Sequence, residues 1–176
     1  MSTTTTEVPT GTYGLDPVHS TIGFGVKYNK LATFRSGFDK VDAQLADGVL
    51  TGTADVASIQ VDEPSFKGHL LAEDFFNAEA TPTITFRSTE IRPADDGSVE
   101  VDGELTIKGT TKPVTATGTY GVGGDAFGNE RVAFELSTTV DRREYGITWQ
   151  NPLPDGSDSL ANDVTITVDL QLVKAA

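Results

Sequence analysis

The chain of 176 residues has no cysteine, one tryptophan, one methionine and two histidines. Without cysteine there is no disulfide framework, no thiolate metal site and no cysteine nucleophile. Two histidines alone do not make a structural zinc site, so neither a metal nor a cofactor is expected. Positive charge is also scarce: 13 Lys and Arg stand against 26 Asp and Glu, a net charge of −13. Such a surface favours solubility and repels nucleic acid and anionic lipid, so no nucleic-acid partner, no membrane-surface role and no stable membrane insertion are expected. No run approaches the ~20 apolar residues of a membrane-spanning helix. The opening "MSTTTTEVPTGTYG" has no basic n-region and no apolar h-region, which leads to the expectation of a cytoplasmic protein.

What is present is period-two alternation. After a Thr-rich segment, residues 1–10, expected to be a disordered tail, residues 11–176 read as a single domain. Ile22, Phe24, Val26 and Tyr28 share one face of a first strand, and Val41, Ala43 and Leu45 mark a second. Leu50, Gly52, Ala54 and Val56 give a third, and Ile84 and Phe86 a fourth. Val99 to Ile107, Pro113 to Gly121, Val132 to Val140 and Val164 to Leu172 follow. Asp47-Gly48, Asp96-Gly97 and the glycine-rich Gly121 to Asn129 read as hairpin turns. One segment breaks the pattern: between Glu63 and Pro82, Leu70 follows Phe66 by four and Phe75 follows Leu71 by four, which is helical spacing. Gln150 to Asn162 reads as a long loop. About eight antiparallel strands, each with one apolar face, are best closed as an up-and-down barrel that leaves no edge, with a two-sheet sandwich as the alternative.

The stretch "PVTATGTYG" places Val114, Ala116, Gly118 and Tyr120 on the inward face, so its middle positions carry almost no side chain. Gly52, Ala54 and Gly103 are small inward residues as well. Two readings stand. Opposing large side chains fill the gaps, as in any densely packed core, or the gaps leave room for a guest.

Four pieces of sequence resemble the YceI-like, polyisoprenoid-binding family in order: "GTYGLDPVHSTIGFGVKY", "GHLLAEDFFNAEATPTITFRS", "VDGELTIKGTTKPVTATGTY" and "VDRREYGITW". Leu15-Asp16 with His19-Ser20, Asp74-Phe75-Phe76, Gly103-x-Leu105-Thr106-x-x-Gly109 and Arg142-x-Glu144-Tyr145-Gly146 carry most of the likeness. The resemblance implies an eight-stranded, lipocalin-like barrel with one short helix between strands three and four. Its lumen would bind and carry, or sequester, an isoprenoid lipid of quinone or polyprenyl-phosphate type. Candidate lumen or mouth residues are Phe24, Val26, Tyr28, Leu71, Phe75, Phe86, Leu105, Ala116, Gly118, Tyr120, Phe134, Leu136, Arg142, Trp149, Ile166 and Val168; for the inner-phase aromatics Phe24, Tyr28, Phe86, Tyr120 and Phe134, core packing is the default reading and lumen lining the functional one. Leu71 and Phe75 would cover one end as a lid. The chain departs from the family before His69, where Phe66-Lys67 replaces a usual Arg-Asp pair. Pairing of two barrels into a homodimer is compatible with the resemblance, but no stretch of sequence specifies an interface.

No catalytic residue is assigned. Asp16-x-x-His19-Ser20 superficially suggests a nucleophile, yet adjacent strand residues point to opposite faces, and the sequence contains no Gly-x-Ser-x-Gly elbow. Asp16 and His19 are expected to stabilise a turn at the barrel entrance. His69 reads as the polar edge of the helix. Arg142, Arg143 and Glu144 read either as an ion pair closing the barrel bottom or as a cation facing a ligand phosphate, and Trp149 as a floor plug or a ligand stack. An enzyme acting on a small apolar substrate and a ligand-free structural barrel remain the alternatives.

Overall fold

Alternation gives every strand one apolar face, and the backbone closes those faces on one another. The computed structural model describes residues 7–175. Ten strands make one antiparallel sheet, but they form eight staves because two staves are broken in the middle. The first stave is β1 (Thr12–Leu15) followed by β2 (Thr21–Tyr28), and the second is β3 (Ala32–Gly37) followed by β4 (Val41–Ala46). The others are β5 (Val49–Asp55), β6 (Thr83–Pro93), β7 (Ser98–Ile107), β8 (Thr110–Gly124), β9 (Glu130–Asp141) and β10 (Leu160–Lys174). Strand β1 pairs with β4 on one side and with β10 on the other, which closes the ring. A lipocalin-like barrel is therefore formed, not a sandwich.

Each broken stave has a local cause. Between β1 and β2, the Asp16 carboxylate accepts from the Val18 amide at 2.9 Å and lies 2.8 Å from His19 Nδ1. Ser20 Oγ accepts from the Gln171 amide at 3.0 Å, standing in for the ladder bond that the missing strand residues would make. At the end of β3, where Gly37 pairs with Gly23, the chain lies so close to β2 that a Cβ on Gly37 would lie 2.8 Å from the Ile22 carbonyl oxygen. There β3 is not paired with β5, and its edge is met by Ile59 and Gln60. The reading of a single strand ending at Tyr28 therefore missed β1, and it missed β3 altogether, because the breaks destroy the alternation on which it depends.

Tight hairpins join most of the remaining strands. At Asn29-Lys30, Asp47-Gly48 and Lys108-Gly109 both central residues have positive φ, the geometry that matches strand twist. Strand β10 begins at Leu160, so the loop expected to reach Asn162 ends sooner. The helix is also shorter than its spacing suggests. α1 spans Pro64–Leu71, started by the Glu63 carboxylate on the Phe66 amide. It stops at Ala72, and the chain then winds back, with Phe76 N bonded to Leu70 O and Ala78 N to Leu71 O. Of the expected tail, residues 1–6 lie outside the described residues, and Val8 packs against the core. That core has two parts. One surrounds Tyr13, Leu45, Val101, Val132, Phe134 and Leu172, all fully buried. The other gathers Phe38, Ile59, Leu70, Phe75, Tyr145 and Leu160 at the opposite end.

Candidate functional site

Between the two buried clusters lies a cavity of about 650 Å³. Its floor is the layer of Ala43, Leu50, Ala116, Leu136 and Leu170, with the fully buried Tyr13 and Phe134 beneath it. The Tyr13 hydroxyl donates to a Glu130 carboxylate oxygen at 2.9 Å, and burial above all pushes the phenol up to about 12. Along the wall, Phe24, Val26, Phe86, Leu105, Ile166 and Val168 all line the space.

The roof is aromatic. Phe24 packs against Phe34, Phe38 and Phe76, with ring centroids 5.9 to 6.5 Å apart. His69 stands edge-on to Phe75 at 4.9 Å and to Trp149 at 5.3 Å, and its Nε2 is 3.8 Å from the Asp74 carboxylate. Tyr28 and Phe66 line the cavity and are also exposed, so this is where it reaches the surface.

The small residues of the inward face divide into two kinds. Gly52, Ala54 and Ala116 line the cavity, and a Cβ on Gly52 would meet only the Asp42 carbonyl oxygen at 3.7 Å. These make room. Gly103 and Gly118 serve close contact instead. A Cβ on Gly103 would fall 2.5 Å from the Phe86 ring, so the missing side chain lets that ring lie flat on β7. At Gly118 the obstacle would be the carbonyl oxygen of Glu135 in the neighbouring strand.

Of the sixteen residues given lumen or mouth roles, twelve line the cavity and four do not. Gly118 is the close contact with β9 just described. Tyr120 and Phe134 lie below the floor, their rings 5.3 Å apart, because the inward phase continues past the point where the barrel is plugged. Leu71 packs beside the upper cluster while Leu70 faces the cavity; Phe75 reaches in from the turn after α1, because the helix has already ended. The lid is thus built from Phe66, His69, Leu70, Phe75 and Phe76. Phe34, Phe38 and Phe76, which the sequence reading omitted, were hidden by the kink at Gly37 and the non-helical turn.

Arg142 lines the upper wall and, among the described residues, forms no ion pair. Its guanidinium donates to the carbonyl oxygens of Ala161 at 2.9 Å, Ile147 at 2.8 Å and Leu160 at 3.3 Å, and burial lowers its affinity for the proton. It ties the connection after β9 to the start of β10 at the open end, so it does not close the bottom as an ion pair. That pairing belongs to Arg143 with Asp141, at 2.6 Å. Trp149 is likewise at the roof and not on the floor. Tyr145 is a buried lining residue whose hydroxyl has no hydrogen-bond partner among the described residues, and burial raises its pKa. The Asp16–His19 turn, expected at the entrance, lies beside the plugged half, where Arg131 reaches Asp16 at 2.7 Å and holds its carboxyl far below the usual range. Ser20 is engaged with the Gln171 backbone on β10. Among the described residues, no group of three His, Cys, Asp or Glu could hold a metal ion, and no helix is long and apolar enough to cross a membrane.

The same architecture is found in solved structures. BcnA of Burkholderia cenocepacia superposes with a TM-score of 0.73 at 24% identity, covering 89% of this chain and 98% of its own. A polyisoprenoid binding domain from Saccharophagus degradans gives 0.70 at 12% identity, covering 93% of this chain and 98% of its own. In sequence, a UPF0312 protein of Pseudomonas aeruginosa is 32% identical over 127 residues, 72% of this chain and 66% of that protein. One from Vibrio cholerae is 29% identical over 137 residues, 73% of this chain and 72% of that protein. Residues 13–172, from the fully buried Tyr13 of the plug to Leu172 beside it, match the YceI-like domain. With nearly the whole barrel included in that match, the chain belongs to the YceI-like family.

Proposed function

We propose that this protein binds an isoprenoid lipid in its barrel and carries or sequesters it, without catalysing a reaction. One observation carries the reading: the cavity is closed at the floor by a packed plug, lined by aliphatic and aromatic side chains, and open at an aromatic rim. A cavity of 150 Å³ holds the six carbons of benzene, about 25 Å³ per carbon. On that scale 650 Å³ holds ~26 carbons, or about five isoprene units. Each buried methylene contributes on the order of 0.8 kcal/mol, enough to offset the cost of association with no polar contact at all. The polyisoprenoid binding domain that shares this fold supports the same ligand class. A quinone-type or polyprenyl-phosphate-type head would remain at the rim, near His69 and Trp149.

The ionisable groups on the wall do not form a reaction centre. The Arg142 guanidinium is bonded to three backbone carbonyls, the Tyr145 hydroxyl is enclosed, and His69 is flanked by aromatic rings. Trp149 is the only tryptophan and lines the cavity, so it reports occupancy. Titration with a short-chain quinone should quench its fluorescence saturably at one ligand per chain. Quenching that rises linearly without saturation would contradict binding in the barrel.

A further inference from the structure

On a chain of net charge −13, the segment from Phe24 to Phe38 carries Lys27, Lys30 and Arg35 and no acidic residue. These fifteen positions are the β2–β3 hairpin and its approach to the kink. Its turn is stiff: Asn29 and Lys30 have φ of 55° and 61°, Leu31 N bonds to Tyr28 O at 3.1 Å, and Asn29 N bonds to Ser159 O at 2.6 Å. The tip presents Leu31, 83% exposed, next to Tyr28 at 44%, and Tyr28 also lines the cavity. Against this hairpin packs Phe66, 40% exposed, its ring edge-on to Phe34 with centroids 5.5 Å apart and followed in sequence by Lys67.

The cations of this rim are available. Among the described residues Lys27, Lys30, Arg35 and Lys67 form no ion pair, whereas Arg92, Arg131, Arg143 and Lys174 each hold a carboxylate. Two nearby carboxylates have hydrogen-bond partners of their own. Asp155, which faces Lys30, accepts from the amide and hydroxyl of Ser157 at 2.9 and 2.5 Å. Glu63 caps α1 through the Phe66 amide.

We propose that this rim docks on an anionic lipid bilayer, with the cavity opening facing the membrane. Leu31, Tyr28 and Phe66 enter the headgroup boundary and the four cations meet lipid phosphates, while the acidic remainder of the barrel is repelled and sets the orientation. A tail that is insoluble in water then passes between bilayer and cavity without crossing the solvent. What passes rests on the isoprenoid reading; the docking itself does not.

Flotation of the full chain with vesicles tests the surface directly. Vesicles of phosphatidylcholine mixed with phosphatidylglycerol should carry the protein, pure phosphatidylcholine much less, and added salt should release it. Each cation at an anionic surface strengthens binding about fivefold, so K27E/K30E should lower it well over tenfold with an unchanged melting temperature. L31S should weaken binding as well. Failure of the native protein to float with the anionic vesicles, or flotation unchanged by K27E/K30E, overturns the proposal. In a second assay the same double variant should take up a long-chain quinone from anionic vesicles more slowly, yet bind a short-chain quinone added from solution with the native affinity. If the native protein shows no saturable quenching by that soluble quinone, the isoprenoid reading falls while the flotation result still decides the docking surface.

Discussion

A Cβ on Gly118 would collide with the backbone carbonyl oxygen of Glu135, because β8 and β9 press together at this point in the wall. No side-chain movement relieves a clash with backbone. Gly118→Ala should therefore destabilise the barrel by more than about 3 kcal/mol or prevent it from folding. Gly52→Ala, in the same inward phase but facing the cavity, should stay within about 1 kcal/mol of the native protein. Urea unfolding of the two variants, with slopes compared to confirm a like-for-like transition, measures the contrast.

Arg142 holds three backbone carbonyls with one planar group. Arg142→Met keeps much of the side-chain volume and takes this donor from the Ala161 and Ile147 oxygens, while Leu160 O keeps only Gln150 Nε2; the change should cost about 3 kcal/mol. Arg142→Lys should recover little, since a single ammonium on a flexible stem cannot match the fork. If Arg142 instead served only a ligand headgroup, both variants would unfold like the native protein and differ from it in binding alone.

Stability should fall at both ends of the pH range. The Tyr13 phenol is pushed up to about 12 by burial, with its hydrogen bond to Glu130 and the Glu130 charge adding to the effect, against 10.0 for a free tyrosine. Its contribution is intact below pH 10 and is lost as the pH rises toward 12, because the unfolded chain ionises first. Tyr13→Phe should flatten that alkaline limb. At the acid end, the Arg143 guanidinium holds the Asp141 carboxyl down at about 2, against 3.8. Its contribution is complete above pH 4 and disappears as the pH falls toward 2, so Asp141→Asn should remove part of the acid dependence. Thermal melts across the range read both limbs.

The floor sets a capacity. Affinity for isoprenoid alcohols of increasing length should rise up to about five units and then level off, because further units remain outside the 650 Å³ cavity. Ala116→Leu fills part of the floor layer and should move the plateau toward shorter chains. Competition against a bound short-chain quinone, followed at Trp149, gives the series. A plateau unmoved by Ala116→Leu would place the chain end elsewhere.

Much of the barrel was legible because its six unbroken staves carry alternating runs, from Val99 to Ile107 and from Val164 to Leu172 above all. The breaks were not. Ser20 and Gly37 interrupt the phase by bonding to or pressing against a neighbouring strand, and no local pattern announces a partner that is distant in sequence. The same limit explains the site. Ala116 and Gly118 lie in one phase and are both small, yet one lines the cavity and the other touches Glu135. Tyr120 and Phe134 carry the right phase for a lumen, but the plug has already closed at their level. Phase tells which side of a strand faces inward; it does not tell how far the empty space extends.

Native mass spectrometry of the protein purified from its own host, followed by organic extraction, asks whether the barrel holds an isoprenoid chain. One lipid per chain is expected, with fragments spaced by isoprene units. A bare protein mass, unchanged after incubation with quinones and polyprenyl phosphates, would contradict it.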